Sequence, residues 1–227
     1  MMRARWVPTI VILALFATAP LLSGRLVPPI VGFGLFAFAG VAGILLGAGF
    51  VGGGAYGALR GRPWARRTLV TGAGPLAIGI VFLGMALTTP GGATFNDITT
   101  DLADPPIFTA GPAAGLAYPD AWRTRHREVY PDLAPARLNA PADTAFSRAK
   151  ALIEANGWTI AAEDRGKGVI QALARTSIFL FEDDVIVRVR GGATESVVDL
   201  RSRSRVGRGD RGVNAARIRV FLKALAP

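Results

Sequence analysis

The chain has 227 residues, is 51% hydrophobic and has a mean hydropathy of +0.37, which is too apolar for an ordinary water-soluble protein of this length. Its net charge of +10 suggests nucleic-acid binding, but residues 1–90 hold seven arginines and no acid, and residues 91–227 carry only +3. Cysteine is absent, which excludes disulfides and cysteine-ligated metals. The composition therefore predicts a membrane part and no nucleic-acid partner.

Three charge-free apolar segments occupy the first ninety residues, at about 6–22, 30–59 and 68–87. A spanning helix needs about 20 residues, and about 17 is the lower limit. We therefore predict three transmembrane helices, which makes membrane lipid a partner of the chain. The alternative for the first segment is a cleaved signal peptide, because Ala17-Thr18-Ala19 resembles a cleavage site. Pro20 would follow that cut directly, which is unfavourable for the peptidase, so we favour retention.

The distribution of charge predicts the orientation of these helices. Arg3 and Arg5 precede the first segment, and four arginines lie in residues 60–67, between the second and third segments. Positively charged flanks stay in the cytoplasm. The sequence thus predicts a multi-pass protein of the bacterial inner membrane, with everything after about Thr88 exported to the periplasm.

Glycines recur at four-residue spacing in the second segment, as the pairs Gly43/Gly47, Gly49/Gly53 and Gly53/Gly57. This spacing places small residues on one helical face and predicts a packing seam, favoured here for the protein's own helices over a partner subunit. No ionisable residue lies inside a predicted span, which disfavours transport.

Residues 91–140 are rich in proline and are predicted to be extended or turn-rich chain without helix. They also contain large apolar residues, among them Phe108, Tyr118 and Tyr130, which are too many for a solvated tether. We therefore expect this segment to wrap the soluble domain that follows.

Residues 141–227 are predicted to form an exported α+β domain, an antiparallel sheet flanked by helices. An amphipathic pattern over 141–157 indicates a helix, and another over 215–225 indicates a second helix, with Asn214 as its N-cap. Between them we predict five strands at 158–162, 169–175, 177–181, 185–190 and 196–205. The residues 182–184 have a turn composition, so Asp183 and Asp184 are expected to be exposed.

The stretch DLRSRSRVGRGDRGVN, residues 199–214, lies between the last strand and the last helix. Strand alternation sends Ser202 and Ser204 to the core face and Arg201 and Arg205 to the opposite face. A glycine-containing turn leading into a helix favours anions. The candidate ligand-binding residues are Arg201, Ser202, Ser204, Arg205, Asp210, Asn214 and Arg217. The alternative is that these arginines are the solvated face of a sheet.

Catalysis has weaker support in the sequence. A hydrolase would have to use Asp199, Ser202, Ser204 or Asp210, and no nucleophile–base pair can be identified among them. His126 is the single histidine, so we predict no metal site and no cofactor.

The run VVDLRSRSRVGRGDRGVNAARIRVFLKAL, with EDDVIVRV before it and NDITTDLADPPIF upstream, resembles the bacterial domain-of-unknown-function family numbered 1499. The resemblance extends from about Asn96 to Leu225 and leaves out the membrane helices. It implies an envelope-associated domain without an established activity. The resemblance leaves two function classes open: a membrane-tethered binding or scaffold domain that holds an anionic ligand or an envelope protein partner, and an envelope hydrolase.

Overall fold

The computed structural model of the protein describes residues 6–88 and 95–225. Arg3, Arg5, the first residues of the predicted proline-rich segment and the last two residues of the predicted domain lie outside the described residues. The chain divides into two compact units. One contains the N-terminal helices together with Ser177–Leu180, and the other contains the remainder of the chain from Pro90.

The first unit contains three helices, α1 (Val7–Leu22), α2 (Pro29–Leu59) and α3 (Ala65–Thr88). Two of them, α2 with 31 residues and α3 with 24, are long and apolar enough to cross a membrane. The helix α1 has only 16 residues and falls just below the length that a span requires. The predicted helical segments are thus present, but two long apolar helices, not clearly three, precede the sheet.

Glycines make the close contact between α2 and α3. A Cβ atom on Gly47 would lie 2.4 Å from the backbone nitrogen of Leu76, and one on Gly79 would lie 2.6 Å from that of Ile44. Both distances are shorter than a Cβ atom tolerates, so these positions require glycine. At Gly49 and Gly53 a Cβ atom would meet nothing within 4 Å. The prediction that the 49/53 pair belongs to the seam is therefore wrong.

The second unit is built on an antiparallel sheet in the order β1-β6-β5-β4-β3, with β2 also paired to β6. The strands are β1 (Asp97–Thr99), β2 (Ala136–Leu138), β3 (Thr159–Asp164), β4 (Val169–Arg175), β5 (Glu182–Gly191) and β6 (Ser196–Ser204). The helices are α4 (Arg123–Val129), α5 (Ala142–Ala155) and α6 (Val213–Leu225). The predicted α+β architecture with an antiparallel sheet is confirmed.

The hydrophobic core lies between one face of the sheet and the helices α5 and α6. Phe146 and Ile153 from α5 and Phe221 from α6 pack with Val187 and Leu200 of the central strands. All five side chains are at most 2% exposed. Their three- and four-residue spacing on the helices and two-residue spacing on the strands explain why these segments adopt their observed structure.

Two details of the strand prediction are wrong. Residues 177–181 form no strand: Thr176 bonds to Phe181 across a closed loop, and Leu180 has a positive φ of 56°. Residues 182–184 are not a turn, because β5 begins at Glu182 and pairs with β4. The acids Asp183 and Asp184 are 2% and 1% exposed, a burial that their arginine partners make possible.

The segment before α5 is also more structured than its prolines suggest. It supplies the edge strands β1 and β2, and Phe108, Tyr118 and Tyr130 are buried in the unit. The expectation that it contains no helix is wrong for α4. That helix lies in the stretch from Asp120 to Tyr130, which contains no proline to interrupt it.

Candidate functional site

The predicted alternation along β6 is correct, because Leu200 and Ser202 face α5 and α6 while Asp199 and Arg201 face the other way. The prediction of exposed arginines on that second face is wrong. Arg201 is completely buried and Arg205 is only partly exposed. The reason is that a covering segment, residues 101–118, packs on the face of the sheet that the sequence pattern predicts to be open to solvent.

Arg201 forms a bidentate ion pair with Asp97 of β1. Its Nε lies 2.9 Å from Oδ1 and its Nη2 lies 2.8 Å from Oδ2 of that carboxylate. The remaining Nη1 donates to the backbone carbonyls of Pro106 and Leu116, at 2.9 and 3.0 Å. One guanidinium therefore connects β6 to β1 and to two points of the covering segment.

Two aromatic rings complete the environment of Arg201. The guanidinium carbon lies 4.8 Å from the ring centroid of Phe108 and 5.5 Å from that of Tyr118. Such contacts stabilise a desolvated cation. Burial raises the pKa of the Tyr118 hydroxyl, so that side chain remains neutral. Arg201 thus has no free face that could contact a ligand.

Arg205 is likewise occupied by carboxylates of β5. Its Nε and Nη2 bond to Asp184 at 3.0 and 2.8 Å, and its Nη1 bonds to Glu182 at 2.7 Å. The hydrogen bond with Asp184 raises the pKa of the guanidinium further above its usual value. Of the two arginines proposed as outward-facing, neither is available as a free cation.

On the opposite face, the predicted residues Ser202, Ser204, Asn214 and Arg217 come together. Ser202 Oγ donates to Asn214 Oδ1 at 2.6 Å, and Arg217 Nη1 donates to both of these oxygens at 2.9 and 2.5 Å. Asn214 Nδ2 donates to Ser204 Oγ at 2.9 Å, and Arg217 Nη2 reaches Asp183 at 2.6 Å. This network fixes α6 to β5 and β6 by bonds between the residues themselves.

The start of α6 differs from the prediction, because Asn214 lies inside the helix and is not its N-cap. Asp210 does the capping: its carboxylate accepts from the backbone N–H groups of Gly212 and Asn214, at 3.0 and 2.7 Å. Asp210 is therefore placed by the backbone of the turn, apart from the network of Asn214 side-chain bonds.

A second ionic cluster was missed in the sequence. Asp199 is fully buried, and its Oδ2 lies 3.0 Å from Arg188 Nη2 and 2.8 Å from Arg190 Nη2. The same two arginines bond to Asp101 and Asp104 of the covering segment. Burial raises the pKa of Asp199 despite these cations. Burial also raises that of Asp101, but backbone N–H donors and Arg190 outweigh it and lower the pKa.

The sequence did contain a signal for this cluster. Arg188 and Arg190 are an even number of residues from Asp184 on β5 and so lie on the same face of the strand. Asp101 and Asp104 belong to a group of aspartates far upstream in the sequence. When charges alternate along a strand and opposite charges occur elsewhere in the chain, the charged face of the sheet can be covered by the oppositely charged segment as well as exposed to solvent.

His126 is buried on α4 and supports β1. Its Nε2 accepts a hydrogen bond from the backbone N–H of Thr99, at 3.3 Å, so the ring is neutral. Burial, with a contribution from the Arg127 charge, lowers the pKa of His126 to about 4. Phe95 and Tyr130 pack around the ring, with centroids 6.0 and 5.5 Å away.

These placements weaken the hydrolase hypothesis. Ser202 is fully buried, Ser204 Oγ accepts a hydrogen bond from Asn214 Nδ2, and His126 is committed to the backbone of β1. Asp199 is enclosed by arginines and Asp210 caps a helix. In residues 6–88 and 95–225 no group of three or more metal-ligating side chains converges on a metal site.

Comparison with known protein families shows which family the chain is related to. Residues 97–225, more than half of the chain, match the family described as Protein of unknown function (DUF1499). The chain belongs to this family. The DUF1499 region begins at β1 and ends with α6, so it coincides with the sheet and its covering segment and leaves out α1 to α3. Comparison with curated proteins gives no match.

The depressed pKa of His126 predicts an acid-sensitive domain. A histidine with a folded pKa of about 4 and an unfolded pKa near 6.5 stabilises the fold fully above pH 6.5. That stability is lost as the pH falls from 6.5 towards 4, by up to about 1.4 kcal/mol per pH unit. The thermal midpoint of the full chain in detergent should therefore fall faster over this range than that of His126→Gln, whose amide oxygen can accept the Thr99 bond. Parallel curves for the two proteins would contradict this assignment.

Proposed function

We propose that the chain is a bacterial inner-membrane protein that presents its DUF1499 domain in the periplasm as a binding domain for an anionic ligand of the envelope. In this proposal α1 joins α2 and α3 as a third membrane-spanning helix. The domain acts through the surface that follows β6 and has no catalytic role.

The anchoring part of the proposal is supported by the first unit. Its helices α2 and α3 are long and apolar. The loop between them contains Arg60 and Arg62, and the first turn of α3 contains Arg66 and Arg67. No acidic residue occurs before Asp97, so these positive charges are not balanced nearby in the chain. Such a loop stays in the cytoplasm, and the end of α3 then lies on the opposite side.

The binding proposal rests on one observation: the polar side chains predicted to bind a ligand, in residues 199–217, form hydrogen bonds within the domain. Arg201, Ser202, Asn214 and Arg217 all bond to other groups of the domain. A catalyst needs such groups at a cleft that substrate can reach, whereas a binding domain needs them to hold a surface in shape. We therefore assign these motif residues a supporting role.

The surface that they support is the 206–212 loop. Arg208 and Arg211 are exposed there, with no carboxylate bonded to either in the part of the chain that the structure describes. Asn96 Nδ2 holds one end of the loop by donating to Gly207 O at 2.6 Å, and Asp210 holds the other end through the N–H of Gly212.

The backbone of this loop is unusual at Arg211, which has a positive φ of 52°. A side chain in this region costs on the order of 1–3 kcal/mol, and such residues concentrate at binding sites. The arrangement gives two exposed guanidinium groups on a pre-organised turn, which suits phosphate or carboxylate groups.

The topology can be tested with an alkaline phosphatase fusion, because this enzyme matures only outside the cytoplasm. A fusion after residue 227 should be active, and a fusion within residues 60–64 should be inactive. Equal expression of both fusions in the membrane fraction is the control. The reverse pattern would contradict the export of the domain and with it the periplasmic function.

Anion binding can be tested with inorganic polyphosphate as the probe and the full chain in neutral phosphatidylcholine nanodiscs. The double variant Arg208→Gln/Arg211→Gln should lower the affinity by about tenfold, because it removes two charged hydrogen-bonding groups. Binding to the unaltered chain should also weaken steeply with added salt.

The matched control is Arg137→Gln/Arg148→Gln, which removes the same charge from exposed positions elsewhere in the domain. This control should keep the affinity of the unaltered chain. Equal losses in the two double variants would show that net charge, not the 206–212 loop, attracts the polyphosphate, and would overturn the assignment of the site.

A further inference from the structure

An open cavity of about 850 Å³ lies at one end of the first unit, between α2, α3 and the residue that precedes α1. Trp6 precedes α1, and Trp64 lies in the short loop between α2 and α3. Because both line the cavity, it lies at the end of the unit where α1 begins, α2 ends and α3 begins. Trp6, Phe50, Trp64, Arg66 and Val70 are among the residues that line it. The cavity therefore combines aromatic and aliphatic walls with two guanidinium groups, those of Arg66 and Arg67.

This end of the unit is rich in arginine and contains no carboxylate side chain. Residues 6–88 contain five arginines and no aspartate or glutamate, and Arg66 is exposed. Arg66 therefore has no aspartate or glutamate of this unit to pair with. In a membrane, a charge near the apolar region is stabilised by an anionic lipid headgroup, and basic pockets between helices on the cytoplasmic side bind such lipids.

The tryptophans indicate the depth of the cavity. Trp6 precedes α1 and Trp64 precedes α3, and both side chains are 42% exposed. Tryptophan is enriched at the membrane–water interface, where its ring lies in the apolar region and its N–H can donate to a headgroup. Phe50 and Val70 supply apolar surface for the first part of an acyl chain.

From this combination we propose that the cavity is a binding site for one anionic phospholipid, whose phosphate is held by Arg66 and whose acyl chain lies against Phe50 and Val70. The site rests on the proposed membrane anchoring but is independent of the ligand of the exported domain. A cavity of this size is in the range of small-molecule sites. The occupant is distinguished from zwitterionic lipid by its net negative charge.

The test uses the tryptophans of the cavity as reporters. The chain has four tryptophans, so the variant Trp122→Phe/Trp158→Phe leaves only Trp6 and Trp64. The full-length variant is placed in phosphatidylcholine nanodiscs that contain increasing fractions of brominated phosphatidylglycerol or brominated phosphatidylcholine. We expect brominated phosphatidylglycerol to quench the fluorescence at a mole fraction about fivefold lower than brominated phosphatidylcholine.

Two further substitutions separate a site from diffuse attraction. Arg66→Gln should abolish the preference for phosphatidylglycerol. Arg62→Gln removes the same charge from an exposed position of the neighbouring loop that does not line the cavity, and should keep the preference. Retention of phosphatidylglycerol by the chain with all four tryptophans, counted by native mass spectrometry after detergent exchange, should show the same difference.

The contradicting outcomes are distinct. Equal quenching by the two lipids, or equal losses in Arg66→Gln and Arg62→Gln, would overturn the lipid site while leaving the membrane anchoring intact. Absence of quenching by either lipid would overturn the anchoring itself. A preference confined to Arg66 supports the site.

Discussion

A buried arginine paired with a buried aspartate holds the two layers of the DUF1499 domain together. Transferring Arg201 and Asp97 out of water costs several kcal/mol for each ion, and this cost is offset only when every hydrogen-bonding group finds a partner. Here the bidentate carboxylate, the carbonyls of Pro106 and Leu116 and the adjacent rings supply those partners. The position of β1 and the path of the covering segment both follow from satisfying this one guanidinium group.

The same principle recurs around the sheet. Arg205 is satisfied by Asp184 and Glu182, and Arg217 by Asp183 together with Ser202 and Asn214. The arginine-rich stretch after β5 therefore stabilises the domain from both faces of the sheet. The 206–212 loop remains exposed beside it. The sequence pattern predicts Arg201, Ser202, Asn214 and Arg217 as binding groups, whereas in the structure these residues hold the domain around that loop in place.

The sequence predicts much of this architecture and fails at identifiable points. Two-residue and three-to-four-residue periods are local, so the face assignment along β6 and the helices α5 and α6 could be predicted. Burial of Arg201 could not, because its partners Asp97, Pro106 and Leu116 lie about a hundred residues upstream and in a segment whose prolines resemble a linker. The acidic composition of residues 182–184 also predicts an exposed turn, but such composition indicates exposure only where no cation compensates it, and Arg205 and Arg217 do so here.

Arg201 fixes the covering segment to the sheet, and hydrogen–deuterium exchange of the full chain measures this attachment. Arg201→Met leaves Asp97 buried without its partner, which costs about 3–5 kcal/mol. Arg203→Met changes the next position of the same strand face, where the side chain is 27% exposed and 3.7 Å from Asp97. Exchange in residues 97–99 and 106–116 should rise by about a hundredfold or more in Arg201→Met and little in Arg203→Met. Equal protection of these residues in the two variants would contradict this role of Arg201.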